Sequence, residues 1–71
     1  MKSNKTRLEI ANNLKEIRLK KGLKQTDVAK AAGLNANYYA KVERGEAKPS
    51  VETLEKILKA LKVKSSEVLP F

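Results

Sequence analysis

Few of the 71 residues can take part in covalent chemistry, because the chain has no histidine and no cysteine. Without histidine, the usual general base near neutral pH is missing. Without cysteine there is no thiol nucleophile and no disulfide, and zinc loses its commonest ligands. That absence fits a cytoplasmic setting. Glu52 and Glu55 share a helix face, but nothing else gathers around them to form an acid–base pair. Catalysis is therefore not expected, and neither is a cofactor or a metal. What the side chains do offer is positive charge: Lys and Arg number 16 against 8 Asp and Glu, a formal net charge of +8. Such a chain suits a polyanionic partner, nucleic acid first and an anionic membrane surface second.

The elements that must position these charges are punctuated by Gly22, Gly33, Gly45 and Pro49, with Pro70 closing the chain. Between them apolar residues recur at helical spacing, and no segment alternates as a strand does. Helix one is expected from about Lys5 to Lys21, with Ile10, Leu14 and Ile17 inward and Gly22 ending it. Helix two spans about Gln25 to Ala32, burying Val28, Ala29 and Ala32. Helix three spans about Ala36 to Arg44, burying Tyr39 and Val42. Helix four follows Pro49-Ser50 and turns Val51, Leu54, Ile57, Leu58 and Leu61 to the core. A last turn, Ser65 to Leu69, lays Val68 and Leu69 back on it. The expectation is one all-α domain over residues 1–71, a compact bundle of five short helices, with residues 1–6 a basic, flexible arm.

The longest unbroken apolar run is Tyr38 to Ala40, whereas a membrane span needs about 20 residues. No apolar segment follows the basic start, Met1 to Thr6, so it does not read as a secretory signal. Charge is unevenly spread. Residues 1–24 hold Lys2, Lys5, Arg7, Lys15, Arg18, Lys20, Lys21 and Lys24 against Glu9 and Glu16, and so carry most of the excess. Residues 25–48 are nearly neutral.

Those near-neutral residues hold the most constrained stretch, Gln25 to Arg44, QTDVAKAAGLNANYYAKVER. Its fifth residue is the small Ala29, which lets two short helices cross closely. Its ninth is Gly33, which tolerates the positive φ of a three-to-four-residue turn between them. Val28, Ala32, Leu34, Tyr39 and Val42 are apolar where the pair must lock against a third helix.

With IRLKKGLKQTDVAKAAGL at the front, YYAKVERGEAKPSVETLEKILKALKV behind it, and the closing SSEVL turn, the chain resembles the lambda-repressor-like, XRE-type helix-turn-helix family of phage repressors and bacterial regulators. The run Glu43-Arg44-Gly45, then Pro49-Ser50 and Thr53-Leu54, is especially characteristic. The resemblance implies a DNA-binding domain whose third helix enters the major groove, and a transcriptional regulator, a repressor, acting in the cytoplasm on the nucleoid. It implies double-stranded DNA as partner and a homodimer on a palindromic operator.

The resemblance also implies roles for individual residues. Ala36, Asn37, Ala40 and Lys41 occupy the base-reading places: Asn37 for an adenine edge, Lys41 for guanine, Ala36 for a thymine methyl. Gln25, at the start of helix two, matches the family's phosphate anchor, and Asn35 caps helix three. Lys24, Asn35, Tyr38, Arg44 and Lys48 are further phosphate candidates. Arg18 and Glu43 match a buried ion pair that fixes helix one on helix three. Val68, Leu69 and Phe71 either form a dimer patch or finish the monomer's core.

Two residues depart from the family pattern. Lys24 stands where a Ser commonly caps helix two, a loss of about 1 kcal/mol, and is expected to reach a phosphate instead. Tyr39 stands where an aliphatic residue is usual, and its hydroxyl must find a partner or reach solvent. The sparse face left by Ala36 and Ala40 implies that DNA shape contributes to specificity. A different class, an antitoxin-like or bridging module whose main partner is a protein, reuses the same fold. Membrane-surface binding through helix one ranks lower, because its lysines oppose no bulky apolar face.

Overall fold

Turns that need a left-handed residue mark where the helices stop. The computed structural model describes the backbone of residues 2–70 and the side chains of residues 6–70. Four α-helices, α1 (Lys2–Lys20), α2 (Gln25–Ala32), α3 (Ala36–Glu43) and α4 (Val51–Leu61), are followed by a single 3-10 turn, Ser65–Glu67. No strand occurs among the described residues. Gly33 ends α2 at φ 71° and ψ 32°, and its N–H donates back to the carbonyls of Ala29 and Lys30. The next N–H, of Leu34, bonds Ala29 at 2.8 Å, closing the turn into α3. This is the left-handed exit that favours glycine. Gly45 is held by the same left-handed backbone more than by its neighbours, since Leu8 is exposed and can turn aside. A Cβ there would meet Leu8 Cδ2 of α1, at a φ of +76°.

The same exit at the end of α4 is made by Lys62, the one non-glycine residue with positive φ (59°) among those described. Its N–H reaches Leu58 and Lys59, and the N–H of Val63 reaches Leu58 at 3.1 Å. A side chain in this region costs about 1 kcal/mol or more. Lys62→Gly is therefore expected to raise stability by about 0.5–1 kcal/mol after the added freedom of the unfolded chain is allowed for. Thermal melts of the two proteins check this, and a lower midpoint for the variant would contradict it.

Two boundaries differ from the sequence expectation. α1 begins at Lys2, so the stretch expected as an arm is helical backbone from its second residue, while Met1 lies outside the described residues. No Gly or Pro interrupts residues 2–21, and Lys and Arg are good helix formers. The fifth helix is only the 3-10 turn. Leu69 N–H does bond Ser65 at 2.8 Å in α-helical spacing, but the next donor would come from Pro70, which has none.

α2 packs on both α3 and α4, and α1 packs on α3. Leu14, Val28, Ala29, Ala32, Tyr39, Val42, Ile57, Leu58, Leu61 and Val68 form the core, with Ile10, Ile17, Leu34 and Leu54 packed partly against it. Val51 is not in it: 76% of its surface is exposed, because it sits in the first turn of α4, beyond the end of the buried stripe. Val68, offered from the sequence as a dimer contact, is fully buried, so its side chain completes the monomer's own core. Its carbonyl accepts from Asn13 Nδ2 at 2.7 Å, pinning the last turn to α1. Leu69 is half-buried against the same core, and Phe71 lies outside the described residues.

Candidate nucleic-acid interface

The turn between α2 and α3 presents α3 with one face buried and the other open. Tyr39, Val42 and Glu43 point inward. On the other side Asn37 and Lys41 are exposed, with Ala36 and Ala40 half-buried beside them. The four lie at helical spacings of one, three and four, and so share an arc of the surface. Among the described residues, no hydrogen bond or ion pair claims the Asn37 or Lys41 side chain.

Both short helices are anchored at their starts by local hydrogen bonds. Asn35 precedes α3 in extended backbone, and its Oδ1 accepts from the N–H groups of Asn37 at 2.8 Å and Tyr38 at 3.2 Å. That oxygen is therefore committed to capping. Lys24 precedes α2, where its ammonium group cannot accept a hydrogen bond. Asp27 supplies half of a capping box instead, its carboxylate accepting the Lys24 N–H at 2.8 Å. That bond fixes the chain as it enters α2, but Lys24 provides no side-chain acceptor for the first-turn N–H groups. Asp27 in QTD was the available signal.

The buried polar centre lies where α1, α2 and α3 meet. Arg18 and Glu43 are bonded twice, Nε to Oε2 at 2.7 Å and Nη2 to Oε1 at 3.1 Å, and Arg18 Nη1 also donates to the Leu23 carbonyl at 2.8 Å. Gln25 joins them: its Nε2 donates to Glu43 Oε1 at 3.0 Å. Read from the sequence only as a phosphate anchor, Gln25 is also part of this centre. Its half-buried side chain reaches across to α3 because both helix ends abut α1. Burial opposes the charge on Glu43, but the hydrogen bonds from Arg18, the adjacent Tyr39 hydroxyl, the Gln25 amide and the Arg18 charge together outweigh it. They hold the carboxyl below the usual carboxylate range. Arg18 is correspondingly raised by its bond to Glu43, against the desolvation that lowers it.

Tyr39 is fully buried. Its hydroxyl lies beside Glu43 without a hydrogen bond of acceptable geometry, so it neither finds a well-placed partner nor reaches solvent. The ring is wholly within the core, and the oxygen is buried with it. Burial, followed by the neighbouring carboxylate, pushes the phenol well above its ordinary value.

These two groups set the pH dependence of the fold. Glu43, lowered on folding, contributes stability that is present above the unfolded value of about 4.3 and lost as pH falls through its folded value. Tyr39, raised on folding, contributes stability present below about 10 and lost as pH rises beyond it. With no histidine in the chain, the melting midpoint is expected to stay level between about pH 6 and 9 and to fall on both sides. A midpoint moving by many degrees inside that window would count against this account.

The remaining phosphate candidates differ in availability. Lys24 and Lys48 are exposed. Arg44 is exposed but paired with Glu46, Nε to Oε2 at 3.0 Å and Nη2 to Oε1 at 3.2 Å. Such a surface pair is weak in water and opens readily to a stronger anion. Tyr38 is half-buried and packs against the core edge. Among the described residues no group of His, Cys, Asp and Glu could hold a metal ion, and no helix is long and apolar enough to cross a membrane.

Two short helices joined at a left-handed glycine, the second with a buried stripe and an open polar face, define a helix-turn-helix. The chain belongs to the helix-turn-helix family, whose model matches residues 14–68. It is 34% identical over 70 residues to the control protein C.BamHI of Bacillus amyloliquefaciens, covering 97% of this chain and 86% of that one. The crystal structure of the restriction-modification controller protein C.AhdI from Aeromonas hydrophila is similar at a TM-score of 0.84 and 32% identity, covering 87% of this chain and 94% of the other. The controller protein C.Esp1396I, seen as a tetramer in complex with its natural 35 base-pair operator, is similar at a TM-score of 0.79 and 32% identity, with 83% and 78% covered. Against three other curated relatives the chain spans 39%, 58% and 49% of their lengths.

Proposed function

We propose that the chain binds a specific double-stranded DNA sequence as a small transcriptional regulator, acting as a repressor on the nucleoid, with α3 in the major groove. The observation that carries this is the open face of α3 on a helix-turn-helix whose similar proteins are controllers, one of them bound to its operator. Asn37 is suited to an adenine edge and Lys41 to guanine, while Ala36 and Ala40 leave room for thymine methyl groups. Lys24, Gln25 and Lys48 meet backbone phosphates, Arg44 joins them by leaving Glu46, and Asn35 and Tyr38 lie close enough to contribute. These contacts position the protein and carry no sequence information. The excess positive charge makes affinity fall steeply with salt. A two-fold dimer on a palindromic site, with Leu69 at the edge of its contact, is the assembly this reading favours.

Selection of bound sequences from a random DNA pool tests the reading. The wild type is expected to enrich a two-fold symmetric motif. Lys41→Ala is expected to relax one position of each half-site, a loss of about tenfold in discrimination there. Enrichment of no motif by the wild type would sink the claim of sequence specificity.

A further inference from the structure

Gln25 and Glu43 stand at opposite ends of the helix-turn-helix, yet their side chains are joined at 3.0 Å. The oxygen that accepts from Gln25 also accepts from Arg18 Nη2 at 3.1 Å, and the other carboxylate oxygen takes Arg18 Nε at 2.7 Å. An ionised carboxylate has no hydrogen to give, so chemistry dictates which way the Gln25 amide faces. Its nitrogen must turn to Glu43, leaving one amide N–H and Oε1 for other partners. Gln25 is also the first residue of α2, where the leading backbone N–H groups have no acceptor within the helix.

We propose that Glu43 is a positioning residue for DNA binding that acts through Gln25 and never touches the DNA. It holds the amide so that the second N–H and the first N–H groups of α2 meet one backbone phosphate together. Because Glu43 is the last residue of α3, the same bond sets the phosphate contact at a fixed offset from the base-reading face. Arg18 then has a second task. It cancels the Glu43 charge, which would otherwise lie beneath the incoming phosphate. The inference rests on the reading of Gln25 as a backbone contact, and the experiment separates the two.

Binding to labelled mixed-sequence duplex DNA is measured for the wild type, Gln25→Ala, Gln25→Asn and the double variant Arg18→Met with Glu43→Met, with a thermal melt of each. Mixed-sequence DNA suffices because a phosphate contact is made whatever the bases. Gln25→Ala is expected to lose about tenfold in affinity, the worth of one hydrogen bond to a charged group. Gln25→Asn keeps the amide but is one methylene too short to serve both Glu43 and the phosphate, and is expected to lose nearly as much. The double variant exchanges a buried ion pair for apolar side chains, which proteins commonly tolerate. It is expected to melt near the wild-type temperature and still bind several-fold more weakly, and Gln25→Ala added to it should cost little further affinity.

If Gln25→Ala binds as the wild type does, the phosphate reading fails and takes the inference with it. Should Gln25→Ala weaken binding while Gln25→Asn or the folded double variant binds normally, the phosphate contact stands and the positioning role of Glu43 is overturned. If the double variant does not fold, the comparison of Gln25→Asn with Gln25→Ala decides by itself, since both alter a half-exposed side chain.

Discussion

Replacing Glu43 by alanine is expected to leave a large part of the chain unfolded at 37 °C. Removing one member of a buried ion pair costs about 3–5 kcal/mol, because the other charge is left without its partner. Arg18 keeps its bond to the Leu23 carbonyl and can lean its guanidinium towards solvent, so the lower end, about 3 kcal/mol, is the value to expect. A domain of 71 residues has about 4–10 kcal/mol in all. The melting midpoint should accordingly fall by about 12–24 °C, read by circular dichroism at neutral pH. A fall of less than about 5 °C would mean that the pair adds little beyond the packing of α1 on α3. The contrast with the apolar double replacement is informative: one change strands a buried cation, while the other leaves only the neutral Gln25 amide and Leu23 carbonyl to find new partners.

Tyr39 should respond in opposite directions to two substitutions. Tyr39→Ala empties the largest fully buried side chain from the core, and is expected to cost about 3–5 kcal/mol. Tyr39→Phe keeps the ring and removes a hydroxyl that is buried without a well-formed hydrogen bond. An unsatisfied buried polar group costs about 1–3 kcal/mol, so the phenylalanine variant is expected to be more stable by about 1 kcal/mol. It should also lose the alkaline limb of the stability profile. Chemical denaturation at pH 7 and pH 10.5 or so checks both points. A destabilised Tyr39→Phe would show that the hydroxyl is well satisfied by Glu43 and helps hold the carboxylate.

The helix-turn-helix was legible in the sequence because its constraints are local. Ala29, Gly33 and Asn35 act within a few residues of themselves, and the buried stripe of α3 follows from helical spacing. The open face of α3 could be read the same way. What could not be read depends on how separate elements meet. Gln25 looks like any polar residue opening a helix until the end of α3 is placed beside it, and nothing in the pattern says that the Tyr39 hydroxyl stays buried. Val51 follows the helical period correctly and is exposed only because the core ends before the first turn of α4. Asn13 carries no mark of its bond to the Val68 carbonyl. Pro70 did carry a usable signal: a proline two residues past Val68 leaves too few donors for a fifth α-helix.

The bond from Asn13 to the Val68 carbonyl also fixes the point from which whatever follows the last turn sets out. Val68 is buried, its carbonyl is held at the middle of α1, and exposed Pro70 stands two residues on. A fluorescent label, affinity tag or peptide joined after Phe71 would start within a few residues of that clamp, tethered to the side of α1. Attachment by way of the last turn therefore has a defined point of origin on the surface, and a joined segment must be judged by whether it can clear α1 from there. Shortening the chain back to Leu61 would have a different result. It would take Val68 out of the core like a stopper and open the apolar residues around it to water.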